Sequence, residues 1–331
     1  MGLGCRDEPG LIGFVCAVPC GLLVRGEQVD AVEVSLLCMH RDWRGRGLTK
    51  ELILELRRRA DAAGIRCAIF TEARPRHTLP LLRAECYHRP LRARALLRYG
   101  FWLPPAGDEG GDTVEQSRRQ LHAAADLASQ LPLHASLAPT SSRLPACSLR
   151  RMRHSDADAC HQFLLERSRR FELAPSFTPE QFEHRFLGGG AFSFVLARRA
   201  HHGRRPDETD VLGFVSFSLL PLRSSDGGRL VQAQLLGYAV APHLADTADG
   251  ALTEHALLLL LSGALRIAKA RGAHVFNAHA LAELTPDMLA RLGFGRGDEA
   301  SYVCIDGPIS GAQRDSKRLI DPARACWLPL L

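Results

Sequence analysis

A chain of 331 residues with 46% hydrophobic and 24% charged residues is long enough for two domains, or one large one, around a normal core. Its net charge of +6 and pI near 8.9 attract anions, but aromatics are only 6% and interleave with no basic run, which argues against single-stranded nucleic acid as ligand. The longest apolar stretch, "HALLLLLSGAL" at His255–Leu265, is too short to span a bilayer, and Met1–Arg6 carries no signal-peptide core, so the cytoplasm is the expected compartment.

The chain begins Met-Gly, yet Arg6 stands where an acylation signal needs Ser or Thr. Ten cysteines are scattered without a Cys-x-x-Cys pair, and the close pair Cys16 and Cys20 lies in or beside a predicted strand. They read as reduced thiols and offer neither a zinc site nor a disulfide framework. No metal is expected.

In chain order, strands are predicted at Leu11–Val18 and Ala31–Met39, then a helix at Leu48–Ala63 and a strand at Cys67–Thr71. Irregular sequence follows, with a short helix near Leu91–Tyr99. Residues 104–146 are rich in Pro, Gly, Ser and Ala, with a weak helix near Val114–Ser129, and read as a linker or surface insertion. Beyond it come a strand at Cys147–Met152, a helix with Ser155 as N-cap, and a helix near Pro179–Phe186. Strands Phe192–Ala197, Val211–Leu220 and Val231–Val240 precede a helix at Leu252–Arg271. Strand His274–Ala278, helix Pro286–Leu292 and strand Ser301–Ile305 end the series.

The halves look like weak repeats. "LIGFVCAVP" at Leu11–Pro19 matches "VLGFVSFSLLP" at Val211–Pro221, and "RRRADAAGIRCAIFT" at Arg57–Thr71 matches "LRIAKARGAHVFNA" at Leu265–Ala278. Repeated strand–helix–strand units imply mixed sheets with helices packed on them. The second half has a strand and two helices before its "VLGFVSF", whereas only ten residues precede "LIGFV", so the first unit is expected to be truncated at its start.

One stretch carries chemistry. In "HRDWRGRGLTKELILELRRR", His40–Arg59, a glycine turn joins an apolar strand to an amphipathic helix. Such a turn sets backbone N–H groups at a helix N-terminus, Gly45 and Gly47 allow close approach, and Arg44 and Arg46 add charge-assisted bonds, all of which suit phosphate. It is neither a Walker loop nor a dinucleotide fingerprint. Leu48, Leu52 and Leu56 are the expected buried stripe of the helix. Arg44-x-x-Gly47-x-Thr49 resembles the pyrophosphate turn of the GNAT acyl-CoA transferases, with Thr49 in place of the usual small last residue. "APHLADTADGALTE", the matching place in the second half, has no basic glycine turn.

A wider set of blocks resembles the N-myristoyltransferases: "VEVSLLCMHRDWRGRGLTKELILELRRRADAAGIRCAIFTEA", "CYHRPL", "LRRMRHSDADACHQFLLERSRRFEL", "LGFVSFSLLP", "AKARGAHVFNA" and "LARLGFGRGD", in family order. The resemblance is collinear from about Leu11 to the end, broken at the linker and at Arg198–Asp210. It implies an α/β fold of two tandem GNAT-like units with mixed sheets, the first incomplete: residues 1–103 for acyl-CoA, 104–146 as linker, 147–331 for peptide. It implies transfer of myristoyl from myristoyl-CoA, a co-substrate and not a bound cofactor, to the N-terminal glycine of proteins, by a monomer.

Residue by residue, the resemblance implies an oxyanion hole in the backbone amides of Leu36 and Leu37 and a base in the terminal carboxylate of Leu331, set in the apolar tail "ACWLPLL". It implies CoA phosphates on Arg44, Gly45, Arg46, Gly47 and Leu48. Thr71 would help hold the glycine amine, and His88, Ser216, Tyr238 and Asp298 would contact peptide. The family usually has over a hundred residues before the "LIGFV" strand, so an exposed sheet edge is expected there. Cys86 and Leu235 replace family tyrosines. Two other readings stay open: another GNAT N-acetyltransferase, and an inactive peptide-binding remnant.

Overall fold

Turn chemistry sets the first pair of strands. Arg25 and Gly26 take positive φ of 50° and 84°, the two-residue type I′ geometry whose twist matches the strands it joins. The strands it links in the computed structural model, Leu11–Val24 (β2, after a short β1 at Gly2–Gly4) and Glu27–Met39 (β3), are therefore one long hairpin and not the two shorter runs predicted. The structure describes residues 2–4, 10–75, 78–98, 147–199, 209–223, 228–244, 250–308 and 318–327. The predicted linker and the helix placed within it lie outside these residues.

The elements continue as α1 (Leu48–Ala62), β4 (Cys67–Glu72), β5 (Pro80–Pro90), α2 (Ala93–Arg98), β6 (Cys147–Arg151), α3 (Ala157–Ser168), β7 (Leu173–Pro175) and α4 (Pro179–Phe186). Then come β8 (Ala191–Arg199), β9 (Thr209–Arg223), β10 (Arg229–Val240), α5 (Ala251–Ala270), β11 (Val275–His279), α6 (Pro286–Arg291) and β12 (Gly295–Asp306). Strand β5 occupies the stretch expected to be irregular. Its buried Leu82 and Ala84 alternate with exposed Arg83, a period of two that the prolines at its ends disguised.

The compact units do not follow linear boundaries at 103 and 147. Unit 1 gathers Met1–Glu85, Arg167–Gln181 and Glu299–Leu331, and unit 2 gathers Cys86–Glu166 and Phe182–Asp298. The cause is strand pairing across long sequence separations. Residues Tyr302–Asp306 return to pair antiparallel with β4, and β7 pairs with the end of β2, so both segments belong with the first hairpin.

In unit 1 the order β1-β2-β3-β4-β12 is mixed, with β3 and β4 parallel across the crossover helix α1. The exposed edge expected on β2 is covered at both ends, by β1 on Leu11–Phe14 and by β7 on Leu22–Val24. Ser176 N–H extends that second contact by donating to the Gly21 carbonyl at 2.8 Å, and a side chain at position 21 would collide with the Ser176 carbonyl.

In unit 2 the order β11-β10-β9-β8-β6 is again mixed, with β10 and β11 parallel across α5. By length and composition α5 could cross a membrane, more than its eleven-residue apolar run suggested. Here Leu257, Leu260, Leu261, Ala264 and Leu265 are buried in one cluster with Phe217, Phe276 and Leu196. Burying each leucine contributes about 2 kcal/mol, so the core accounts for the apolar face.

Helix α3 is entered through a 3-10 turn at His154–Asp156, and the capping carboxylate is Asp156, not Ser155. It accepts from Arg153 N–H at 2.8 Å and, in a fork, from Arg150 Nη1 and Nη2 at 2.7 and 2.8 Å. Burial opposes its ionisation, but the Arg150 guanidinium and the Arg153 N–H prevail and hold the carboxyl below its ordinary range. A depressed folded value gives stability that is present above the unfolded value of about 4 and is lost as pH falls through the folded one. Asp156→Ala is expected to cost about 2–3 kcal/mol near neutrality and to flatten the acid limb of the stability curve. Urea denaturation between about pH 7 and pH 2 reads both effects.

Candidate functional site

The parallel ladder between β3 and β4 is short. Ala31, Val32 and Glu33 pair with Cys67, Ala68 and Ile69, and there the ladder stops although both strands run on. Past that point β4 stays with β12, through Thr71–Val303 and Glu72–Tyr302. Strand β3 stays with β2, where Ser35 faces Cys16 and Cys38 faces Phe14, so Leu36 and Leu37 share the place opposite Val15. This is a β-bulge, which bends its strand and disrupts the ladder locally. Leu36 takes φ 54°, a left-handed conformation that costs a leucine about 1–2 kcal/mol.

The parted strands and α1 enclose a cavity of about 740 Å³ within unit 1. Leu36 and Leu37 form one wall, Ile53 and Leu54 of α1 another, and Phe70 and Thr71 of β4 a third. The four aliphatic side chains are 38–53% exposed, an unusual concentration of apolar surface for one spot. It is of a size that holds a small molecule. Thr71 offers a hydroxyl, and Glu72 and Asp306 add carboxylates to the lining. Burial, with Asp306 second, pushes the Cys67 thiol up, and its Sγ lies 3.3 Å from the Pro308 carbonyl, so it stays a neutral donor.

Next to this cavity β3 runs into the glycine turn. Gly45 and Gly47 both have φ 77°, a left-handed backbone that favours glycine. Gly47 is the N-cap of α1 and supplies no side-chain bond to it. The first-turn N–H groups of a 15-residue helix therefore have no cap from that residue, and with the helix dipole they favour an anion. Arg44 Nε donates to the Met39 carbonyl at 3.2 Å, which ties the turn to the end of β3. The Arg46 guanidinium lies over the Trp43 ring at 4.7 Å. Both arginines are exposed, and Leu48 opens the helix.

So Leu36, Leu37 and Thr71 meet at one cavity, beside the turn of Arg44, Gly45, Arg46 and Gly47. The remaining candidates lie elsewhere. Leu331 falls outside the described residues, although Ala325 and Trp327 of the tail are buried. His88, Ser216, Tyr238 and Asp298 belong to unit 2. His88 Nδ1 is 2.8 Å from Asn277 Oδ1, and Asp298 is exposed. Ser216 accepts from Ser193 Oγ at 2.7 Å and is fully buried, as is Tyr238 nearly so, with its hydroxyl 3.2 Å from Glu283 Oε2. Tyr238 shares a cluster with Val215, its partner in the ladder, so it points to the face of the sheet opposite to Ser216.

Of the stripe Leu48, Leu52 and Leu56, only Leu52 is buried, and Leu56 lines the cavity. The signal that could have found this wall is the pair Ile53-Leu54, which lies off that stripe in sequence. Sequence reading also missed His279, whose Nε2 is 3.2 Å from Cys86 Sγ. Among the described residues, all nine cysteines are free and no three His, Cys, Asp or Glu side chains group as a metal site.

The family description "Myristoyl-CoA:protein N-myristoyltransferase, N-terminal domain" matches residues 1–86, and its C-terminal counterpart matches residues 127–302. A glycylpeptide N-tetradecanoyltransferase of Ajellomyces capsulatus is 29% identical over 322 residues, which is 95% of this chain and 56% of that protein. The enzyme of the same name from Aspergillus fumigatus is 29% identical over 98% of this chain and 62% of its own. The chain thus spans little more than half the length of these relatives. Saccharomyces cerevisiae N-myristoyltransferase with bound myristoyl-CoA superposes with a TM-score of 0.71 at 26% identity, over 99% of this chain and 76% of that one.

Two outcomes follow from the geometry. Leu36→Gly should keep the bulge without strain, whereas Leu36→Val, β-branched at positive φ, should be less stable than the glycine variant by about 1–2 kcal/mol in urea. Burial, with the charge of His88 second, pushes the His279 imidazole down to about 4. An unfolded histidine gains its proton near pH 6.5, so His279 removes stability as pH falls from about 6.5 to about 4, at up to about 1.4 kcal/mol per pH unit. His279→Leu should remove that share of the slope in a pH series of thermal melts.

Proposed function

Because the chain belongs to the myristoyl-CoA:protein N-myristoyltransferase family, we propose that it transfers a myristoyl group from myristoyl-CoA to the N-terminal glycine amine of a protein. The observation that carries this reading is the parted β3–β4 pair, with the Leu36–Leu37 bulge on one side and the glycine turn at its mouth. A thioester needs three things at once: an anchor for phosphates, an apolar lining for the chain, and amide donors for its carbonyl. These are offered within one stretch, Ser35 to Leu54.

In the reaction proposed, the CoA pyrophosphate rests on Gly45, Gly47 and the N-terminus of α1, with Arg44 and Arg46 adding charge. The start of the acyl chain lies against Leu36, Leu37, Ile53 and Leu54. The peptide amine attacks the thioester carbon, the carbonyl oxygen becomes an oxyanion between the amides of Leu36 and Leu37, and the C–S bond breaks to release CoA thiolate. Because the donors are backbone groups, leucine serves as well as any side chain. Thr71 helps hold the amine. The amine must lose a proton, and the Leu331 carboxylate is the assigned base. His88 and Asp298 are assigned to the peptide together with one of Ser216 and Tyr238, since the ladder sets these two on opposite faces of their sheet; the reaction is assigned to the cytoplasm and to a monomer.

The test is to incubate the chain with a peptide beginning Gly-x-x-x-Ser and either myristoyl-CoA or acetyl-CoA, following free CoA thiol. Peptide-dependent release with myristoyl-CoA alone supports the proposal. Release with acetyl-CoA instead moves the chain to the general acetyltransferases, and silence with both leaves a peptide-binding remnant. Arg44→Gln/Arg46→Gln should raise the KM for acyl-CoA roughly 10- to 100-fold with little change in kcat, the loss of one to two charge-assisted bonds. One extra residue after Leu331 should lower kcat about 100-fold or more, which is what a general base contributes.

A further inference from the structure

A second cavity of unit 1, about 900 Å³, lies between the β2–β3 turn, the segment after α3 and the chain near residue 320. Six arginines line it: Arg25, Arg83, Arg169, Arg170, Arg318 and Arg324. Its only lining carboxylates, among the described residues, are Glu172 and Asp321. Arg83 is also ion-paired to Glu85, just outside the lining, at 3.5 Å, so six guanidinium groups stand against three carboxylates and leave an excess of positive charge.

Both lining carboxylates already have structural work. Glu172 is ion-paired to Arg324 and lies 4.0 Å from Arg25, and Asp321 Oδ1 accepts from Ala323 N–H at 2.9 Å to start a 3-10 turn. The most confined of the arginines is Arg25. It occupies a type I′ position where Asn, Asp or Gly is usual, at φ 50°, and its side chain is only 18% exposed. Its Nη2 donates to the Arg318 carbonyl at 2.6 Å, and its buried Nη1 has no acceptor among the described residues. Strained backbone that positions a buried charge is a feature of ligand sites more than of plain turns.

We infer that this cavity binds a compact group bearing two or more phosphates, free in solution or as the headgroup of a lipid. Guanidinium forks match phosphate oxygens in pairs, and a concave site with surplus positive charge favours a multiply charged anion over a single carboxylate. Nucleic acid fits less well. The one aromatic ring in the lining, Phe171, already has the Arg167 guanidinium 5.3 Å above it, so no platform is left for base stacking. Nor is this the phosphate turn at Gly45 and Gly47. The two lie at opposite ends of β3, and 13 extended residues span about 40 Å.

The test uses the Arg44→Gln/Arg46→Gln protein, so that the turn cannot contribute. Calorimetric titration with pyrophosphate and with inositol hexakisphosphate should show one saturable site. Adding Arg170→Gln/Arg318→Gln, both exposed positions, should weaken it at least tenfold, while Arg58→Gln/Arg59→Gln on α1, with the same loss of charge, should change it less than twofold. Pyrophosphate should also raise the Tm of the first protein and not of the pocket variant. Co-sedimentation with phosphatidylcholine vesicles, with and without phosphatidylinositol bisphosphate, tells the sources apart: retention on the second kind assigns a headgroup, and saturable binding of the free anions without retention assigns a soluble ligand. Absence of saturable binding, or equal weakening by both arginine pairs, would overturn the inference.

Discussion

Everything at the candidate site depends on the parting of one parallel pair of strands. A β-sheet is a closed account of backbone hydrogen bonds, and a ladder that stops after three residues leaves polar backbone and apolar side chains facing a gap. The bulge at Leu36 and Leu37 keeps β3 with β2 while β4 follows β12, and the helix between the strands roofs the opening. The cavity, with Leu36 and Leu37 along its wall, is a consequence of that single divergence.

Unit 2 repeats the arrangement and uses it differently. Its parallel pair also meets over three residues, Gln232–Gln234 with Val275–Asn277, and β10 carries its own register shift between Leu235 and Gly237. Its crossover helix likewise starts from a left-handed glycine, Gly250 at φ 63°. The arginines are missing, and beyond the short ladder Tyr238 and Val240 are buried with Leu284 and Met288. One architecture thus serves as an open cavity in unit 1 and as core in unit 2. Side-chain choice, and not the fold, decides which.

Much of this was legible in sequence because the signals are local. The strand–turn–helix from Ala31 to Ala62 is carried by β-branched residues, two glycines and an amphipathic run, and its boundaries came out within a few residues. The weak repeat rested on the glycine and the buried strand after each crossover helix, and both are present. What was not legible is non-local. The prolines of "PLLRAECYHRP" mask its short alternation, and its second half is fixed as a strand by β11 beside it, while nothing near Leu173 announces that it pairs with Val24, about 150 residues away in sequence. The bulge was invisible for the same reason: a leucine at positive φ is dictated by its partners, not by its own preference. The arginine cavity assembles four separate segments, each of which reads in sequence as ordinary solvated charge.

The central claim is that the parted strands hold the thioester, and a crystal structure of the chain with a non-hydrolysable myristoyl-CoA analogue tests it most directly. The account predicts the pyrophosphate on the N-terminus of α1 and the carbonyl oxygen about 2.7–3.1 Å from the amide nitrogens of Leu36 and Leu37. An analogue bound with its carbonyl away from the bulge, or with its phosphates off the Gly45–Gly47 turn, would contradict it.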